Sequence, residues 1–361
     1  MRRPRVLFVA PARSSFVRDD LALLREHYDV SEFTFGVGRA AALARGLARQ
    51  ARWLHAEGAR PAGERADLVY GWFADYPLAL PVRWARRRGV PVVVAVGGYD
   101  AACLPELDYG VFCSRWRAPL ARGVLRGASL LLPVAQALVE SENAFAPGAP
   151  TRQGVRAHVP GLVTPVAVLP TGYDAAAWPA GPAVREPRVV TAALVATERT
   201  WHLKGLDLLA DAARRLPGVA FEVVGVAPAL AASKRPHVPP NVTLGPPVPR
   251  HALAAVYARA AVVAHLSRSE GLPNALCEAM LCGCVPVVSR VGGMPEAAGD
   301  TGRIVDAPDA DAIADALVQA LAQPDRAAPR ARIATQFSRE RRRAGLAEHL
   351  DRLIAGGPAA G

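Results

Sequence analysis

The stretch AVVAHLSRSEGLPNALCEAMLCGCVPVVS, residues 261–289, decides the fold. Its ends, AVVAHLS (261–267) and VPVVS (285–289), are continuous β-branched runs, whereas the middle is rich in helix formers. Strands covered on both faces read as unbroken apolar runs, so the pattern is strand, helix, parallel strand. Pro273 suits a first helical position and Gly283 a helix stop, which predicts a helix of about ten residues from 273.

The same alternation extends toward the amino terminus. VLFVA (6–10), the strand-like SEFTF (31–35), DLVY (67–70), PVVVAV (91–96) and SLLLPVA (129–135) form one set, and RVVTAALV (188–195) and FEVVGV (221–226) lead into the quoted unit. Two doubly wound α/β domains with parallel sheets are therefore expected, and 361 residues is more than one core usually organises. Between the sets, LPTGYDAAAWPAGPAVREP (169–187) is dense in proline and glycine and loses helical periodicity, as an interdomain linker does. The expected division is an N-terminal domain over 1–175, a C-terminal domain over 176–340, and a terminal helix and tail over 341–361 able to pack back on the first domain. APGAPTRQGVRAHVPG (146–161) reads as a long loop within the first domain.

Composition sets the class. The chain is 51% hydrophobic and 21% charged, without an apolar run near the roughly 20 residues of a membrane span, which predicts a soluble protein. The opening MRRPRVLFVAPARSSF has an apolar run shorter than the about 7 to 15 residues of a secretory signal, and is expected to supply a first buried strand in a cytoplasmic chain. Cysteines 103, 113, 277, 282 and 284 form no CxxC pair and are expected to be buried free thiols. A net charge of +11 favours anionic partners: nucleotide phosphates or an anionic membrane surface. Nucleic acid is not expected, since zinc spacing, aromatic RNP patterns and helix-turn-helix signals are lacking. Only Lys204 and Lys234 are lysines, which gives a lysine inside a motif added weight.

Several motifs compete for the chemistry. GVGRAA (36–41) with Glu57 downstream matches the dinucleotide fingerprint, but it follows the second strand, not the first, and reads better as a turn. GGYD (97–100) and GGMPE (292–296) each follow a strand directly, where paired glycines serve either a tight turn or close approach of a ligand to the backbone. In EGLPNALCE, Glu270 and Glu278 would lie about 12 Å apart along a helix axis and about 80° around it. Glycosidase carboxyl pairs stand about 5 Å to 9.5 Å apart, so a hydrolytic acid pair does not fit. Free amides at residues 271–274 would instead cradle a phosphate, with Glu278 placed to accept two ribose hydroxyls. A capping Glu270 and a solvated Glu278 are the structural alternative. TERTWHLKG (197–205) adds Arg199 and Lys204 in a strand-to-helix loop, where two cations can neutralise a pyrophosphate and stabilise it as a leaving group.

Glu270 to Glu278 as E-x7-E, the upstream Arg199 and Lys204 before Gly205, the junction-like LPTGYD (169–174) and GGMPEAAGDTGRIVDAPDADAIADAL (292–317) together resemble the retaining glycosyltransferases of family GT4, with the GT-B fold. The resemblance covers nearly the whole second domain. In the first domain GGYDAACLPELDYG (97–110) resembles a subgroup of bacterial members, and glycine at Gly97 replaces a histidine that many relatives carry. The resemblance implies two Rossmann-like domains facing a central cleft, and transfer of a sugar from a UDP- or GDP-hexose type donor to a glycan or lipid-linked hydroxyl in bacterial surface polysaccharide synthesis. It places the donor ribose on Glu278, the pyrophosphate on Arg199, Lys204 and the amides around Gly271, Leu272 and Pro273, and the sugar near Glu270, Asn274, Gly97 and Gly98. Asp100 is the first-domain candidate for touching that sugar, and Ser14, Ser15 and Phe16 are candidates for the acceptor side. No cofactor is expected beyond the nucleotide-sugar co-substrate, and no metal, since no DxD stands at a strand end. Competing readings are a nucleotide-sugar epimerase or phosphorylase of the same fold, and a nucleotide-binding module without turnover. The basic clusters Arg45, Arg49 and Arg52, and RWARRRG (83–89), suggest either solvated charge or peripheral docking at the inner membrane face.

Overall fold

A computed structural model describes residues 2–36, 40–146, 148 and 151–356. The N-terminal sheet comprises β1 (Arg5–Ala10), β2 (Asp29–Thr34), β3 (Leu68–Trp72), β4 (Val92–Val96) and β5 (Leu130–Pro133), parallel throughout in the order β2-β1-β3-β4-β5. A small antiparallel pair, β6 (Ser141–Glu142) and β7 (Arg152–Gln153), spans part of the long loop. The second sheet comprises β8 (Glu186–Val195), β9 (Ala220–Val226), β10 (Val242–Gly245), β11 (Ala260–His265), β12 (Val285–Ser289) and β13 (Arg303–Val305), in the order β10-β9-β8-β11-β12-β13 and again parallel. β1, β3, β4, β5, β11 and β12 are buried along their whole length, which is why they read as unbroken apolar runs. The edge strands β10 and β13 are too short, at 4 and 3 residues, to carry a period in sequence.

Both sheets reverse their winding beside the first strand, between β1 and β3 and between β8 and β11. Ligands of such sheets bind outside the carboxyl ends of the strands at that switch. The loops there carry nearly all the candidate residues, and the two switch points face one another.

Two crossings of the chain tie the domains together side by side. The Tyr173 amide donates to the Phe337 carbonyl at 2.8 Å, and the Arg339 amide donates back to Tyr173 at 3.0 Å. The helix Arg339–Ile354 then returns to the first domain, where the buried Arg342 guanidinium donates to Asp20 Oδ1 at 2.9 Å and Oδ2 at 2.6 Å. Asp20 also accepts from Tyr70 Oη and Trp72 Nε1 on β3, so the returning helix is plugged into the first core.

Three sequence expectations change. Pro273 is the cap rather than the first helical residue, because its ψ of 121° is extended, and the helix runs Asn274–Leu281. Arg199 lies in a short helix, Glu198–Leu203, with Lys204 as its cap. A reciprocal Thr197–Thr200 capping box nucleates that turn where a plain loop was expected. Cys277, Cys282 and Cys284 are buried thiols, but Cys103 and Cys113 are only partly covered, with their Sγ atoms 3.1 Å apart. Of the GVGRAA stretch, residues 37–39 lie outside the described residues. Glu57 pairs with Arg5 at 2.8 Å beside the amino ends of β1 and β2, the wrong end of the sheet for a nucleotide.

Candidate functional site

β11 ends in His265, and the chain turns through Ser267 to put the Glu270 carboxylate beneath the helix Asn274–Leu281. Glu270 Oε1 accepts from Lys204 Nζ at 2.5 Å, Ser267 Oγ at 2.9 Å and His265 Nε2 at 3.1 Å. Burial alone would raise its pKa, but the Lys204 charge and the His265 hydrogen bond outweigh burial and hold it well below the usual carboxylate range. A carboxylate only accepts, so His265 carries a proton on Nε2, while its buried Nδ1 has no partner among the described residues.

Among the described residues the amides of Gly271, Leu272, Asn274 and Ala275 donate to no protein acceptor, leaving an open helix amino end next to Lys204. Asn274 is held on both sides: its Oδ1 accepts from Tyr173 Oη at 3.0 Å and its Nδ2 donates to Ser15 Oγ at 2.9 Å. Further along the helix, Glu278 lines a cavity of about 210 Å³ together with Ser15, Phe16, Tyr173, Asn274 and Arg250. Burial pushes its carboxyl up to about 7, and Arg250 at 4.0 Å opposes this only in part. Ser15 and Phe16 stand beside Glu278, because β1 is central and its loop opens at the switch point. Ser14 Oγ is buried without a hydrogen-bond partner among the described residues.

Asp100 requires a correction. It is fully buried, with Oδ1 accepting from the Gly97 and Gly98 amides at 3.0 and 3.1 Å and Oδ2 from the Ala74 amide at 2.8 Å. Burial raises its pKa to about 6 despite those amides. It shapes the glycine turn and presents no oxygen to the cleft. Gly97 and Gly98 themselves press on the other domain: a Cβ at Gly98 would sit 2.8 Å from the Gly271 nitrogen, and one at Gly271 would sit 2.1 Å from the Gly97 oxygen.

Arg199 stands apart from Lys204. Its guanidinium is half exposed and reaches across the cleft to the Asp108 carbonyl at 2.9 Å. The structure thus joins Lys204, Glu270, Gly271, Asn274 and Ser15, places Glu278 in the adjoining cavity, and leaves Arg199 at the rim. Sequence reading missed His265, Ser267 and Tyr173. A histidine closing the otherwise apolar run AVVAH was the available signal for the first.

Residues 190–323 match the family model described as Glycosyl transferases group 1. That match lies within the second domain. The chain is 38% identical over 122 residues to a D-inositol 3-phosphate glycosyltransferase of Segniliparus rotundus, covering 30% of this chain and 27% of that protein. It is 36% identical over 152 residues to a GDP-mannose-dependent alpha-(1-6)-phosphatidylinositol monomannoside mannosyltransferase of Mycolicibacterium smegmatis, covering 37% of this chain and 40% of that one. The matches thus span less than half the length of these relatives. In overall structure the chain resembles sucrose-phosphate synthase from Thermosynechococcus elongatus, with a TM-score of 0.72 at 16% identity over 98% of this chain and 100% of that one. It also resembles Anabaena HepE in complex with UDP and glucose, with a TM-score of 0.68 at 17% identity over 96% and 99% of the two chains. The two domains together have the GT-B fold.

Proposed function

We propose that the protein is a retaining, metal-independent glycosyltransferase that moves a hexosyl group from a nucleoside-diphosphate sugar to a hydroxyl of a glycan or lipid-linked acceptor. The observation that carries this reading is Lys204 paired with Glu270 beside the open amino end of the helix that bears Glu278. The names of the D-inositol 3-phosphate glycosyltransferase and mannosyltransferase relatives, and of the neighbour bound to UDP and glucose, support the same class.

In this reading the donor pyrophosphate enters at the Gly271, Leu272 and Asn274 amides and draws Lys204 onto its charge, with Arg199 closing from the rim. Glu270, released from Lys204, accepts hydroxyls of the transferring sugar, and Glu278 accepts those of the ribose. The anomeric carbon–phosphate oxygen bond breaks and the acceptor oxygen bonds that carbon on the same face. The acceptor proton passes to the leaving phosphate, so the products are a glycoside and a nucleoside diphosphate. No protein nucleophile is needed, and the rate derives from electrostatic stabilisation and positioning.

Peripheral docking at an anionic membrane belongs to the same proposal. Arg45, Arg49, Arg52, Arg83, Arg86, Arg87 and Arg88 have no carboxylate partner among the described residues. The two clusters adjoin, since Arg88 abuts Gly58 at the end of the helix Ala40–Gly58. No helix among the described residues is long and apolar enough to cross a membrane. Vesicle sedimentation tests the docking: it should require anionic lipid and fade with salt, and protein left in the supernatant at low salt removes the idea.

The activity test is a thermal-shift screen of UDP, GDP and ADP followed by turnover of the matching hexose donors in EDTA, with the anomeric product read by proton NMR. Retained anomeric configuration with a glycan acceptor is expected. Epimer or free sugar formed without an acceptor would instead place the protein among the nontransferring relatives.

A further inference from the structure

A second cavity, of about 550 Å³, opens in the first domain at the carboxyl ends of β1 to β4, within the roughly 300–1,000 Å³ typical of small-ligand sites. Its wall is mostly rings: Phe35 after β2, Phe73 after β3, Tyr76, Tyr99 after β4, and Trp116. Phe35 meets Tyr76 edge-on at 5.1 Å, and Tyr76 meets Trp116 at 5.6 Å. Trp116 is 54% exposed and is the only exposed aromatic among the described residues. Phe73 is held at a φ of 66°, a left-handed conformation that is unfavourable for a bulky side chain and typical of binding and catalytic sites.

The charge of this cup is internally closed. Arg117 donates through Nε to Asp75 Oδ1 at 3.1 Å and through its terminal nitrogen to Oδ2, and its guanidinium lies over the rings of Tyr99, Tyr76 and Trp116 at 5.0, 5.5 and 5.9 Å. Burial raises the Tyr76 and Tyr99 phenols, so both stay neutral at ordinary pH. Among the described residues the lining therefore offers ring faces and a fixed, neutralised fork of donors and acceptors, with no cation other than Arg117. The Glu278 and Lys204 side of the cleft has the opposite character. The two sides meet at one turn: Tyr99 follows Gly97 and Gly98, which contact Gly271, and Phe73 packs on Gly97 and on Phe16 of the Glu278 cavity.

We infer that this cup holds the acceptor as an uncharged pyranose ring, its C–H face stacked on Trp116 and Tyr76 and its hydroxyls on the Asp75–Arg117 pair. The inference rests on the transferase reading and names the class of acceptor. Among the described lining residues, a phosphorylated acceptor would find a cation only by breaking the Asp75–Arg117 pair.

Binding of the purified protein to an array of neutral and phosphorylated glycans, followed by calorimetry of the best neutral glycan, tests this. Neutral glycans should be retained, Trp116→Ala should weaken binding about tenfold, and Trp116→Phe should restore most of it. The half-exposed position of Trp116 makes both variants compatible with folding. Retention of phosphorylated glycans alone, of none at all, or equal affinity of Trp116→Ala and the parent overturns the assignment. UDP and GDP titrated into the same samples separate the two readings: nucleotide binding unchanged by Trp116→Ala is expected. Neutral-glycan binding without any nucleotide binding would sink the transferase reading and leave the cup as a sugar site.

Discussion

Lys204 and Glu270 form one ion pair, so neither can be removed without consequence for the other. Lys204→Ala should weaken nucleoside-diphosphate binding by about 1.5 to 3 kcal/mol, the range for charged hydrogen bonds, and leave nucleoside binding nearly unchanged. It also strands a buried carboxylate, so the variant should lose stability that Lys204→Ala/Glu270→Gln partly recovers. Calorimetry with the two ligands, and urea melts of both variants, measure this. Equal losses for nucleoside and diphosphate would show that Lys204 does not face phosphate. Glu278 makes a pH-dependent prediction. Its carboxyl, raised to about 7, favours the protonated form in the folded state, so the unfolded chain gives up that proton first and stability falls as pH rises from about 4.5 through 7. Glu278→Gln should therefore be more stable than the parent by roughly 2 kcal/mol at pH 8 and no more stable at pH 4. Nucleotide affinity of the parent should rise over the same window, because the carboxylate is the better acceptor for ribose. A pH-independent difference in urea midpoints would remove Glu278 from this role.

Among the elements, the turn after β4 and the turn after β11 are made to touch. Gly271 lies so close to Gly97 that any side chain there must separate the two loops, and the φ of 122° at Gly98 also disfavours other residues. Gly271→Ala should leave each domain folded but hold the cleft open, lowering kcat on the order of 100-fold through misplacement of the reacting groups. Solution scattering should then report a larger radius of gyration than for the parent. A variant with parental scattering and parental kcat would mean that this contact does not govern closure. The glycine pairs at 97–98 and 292–293 were visible in sequence, but that they meet the same turn was not, because each pair follows a different strand in a different sheet.

Across the whole molecule, the Arg342–Asp20 pair joins the last helix to the first domain over 322 residues of separation. Arg342 is almost wholly buried, and its removal leaves Asp20 with an uncompensated charge. Arg342→Met should cost about 3 to 5 kcal/mol in urea denaturation and expose the helix Arg339–Ile354 to limited proteolysis. Unchanged melting together with unchanged cleavage would mean that the returning helix does not secure the two domains.

The sequence by itself determined the two parallel sheets, because strand and helix periodicities are properties of neighbouring residues. The short strands β10 and β13 escaped it, being too brief to show a period. Only the tertiary structure decided that Lys204 neutralises Glu270, that Asp100 is spent on backbone amides, that Arg199 turns to Asp108, and that Arg117 and Asp75 close the charge of the aromatic cup. Each of these depends on loops from separate strands converging at the carboxyl ends of the sheets. Burial, hydrogen-bond partners and local charge set what a side chain can do there, and Lys204 on Glu270, Ala74 on Asp100 and Asp108 on Arg199 all come from residues distant in the chain.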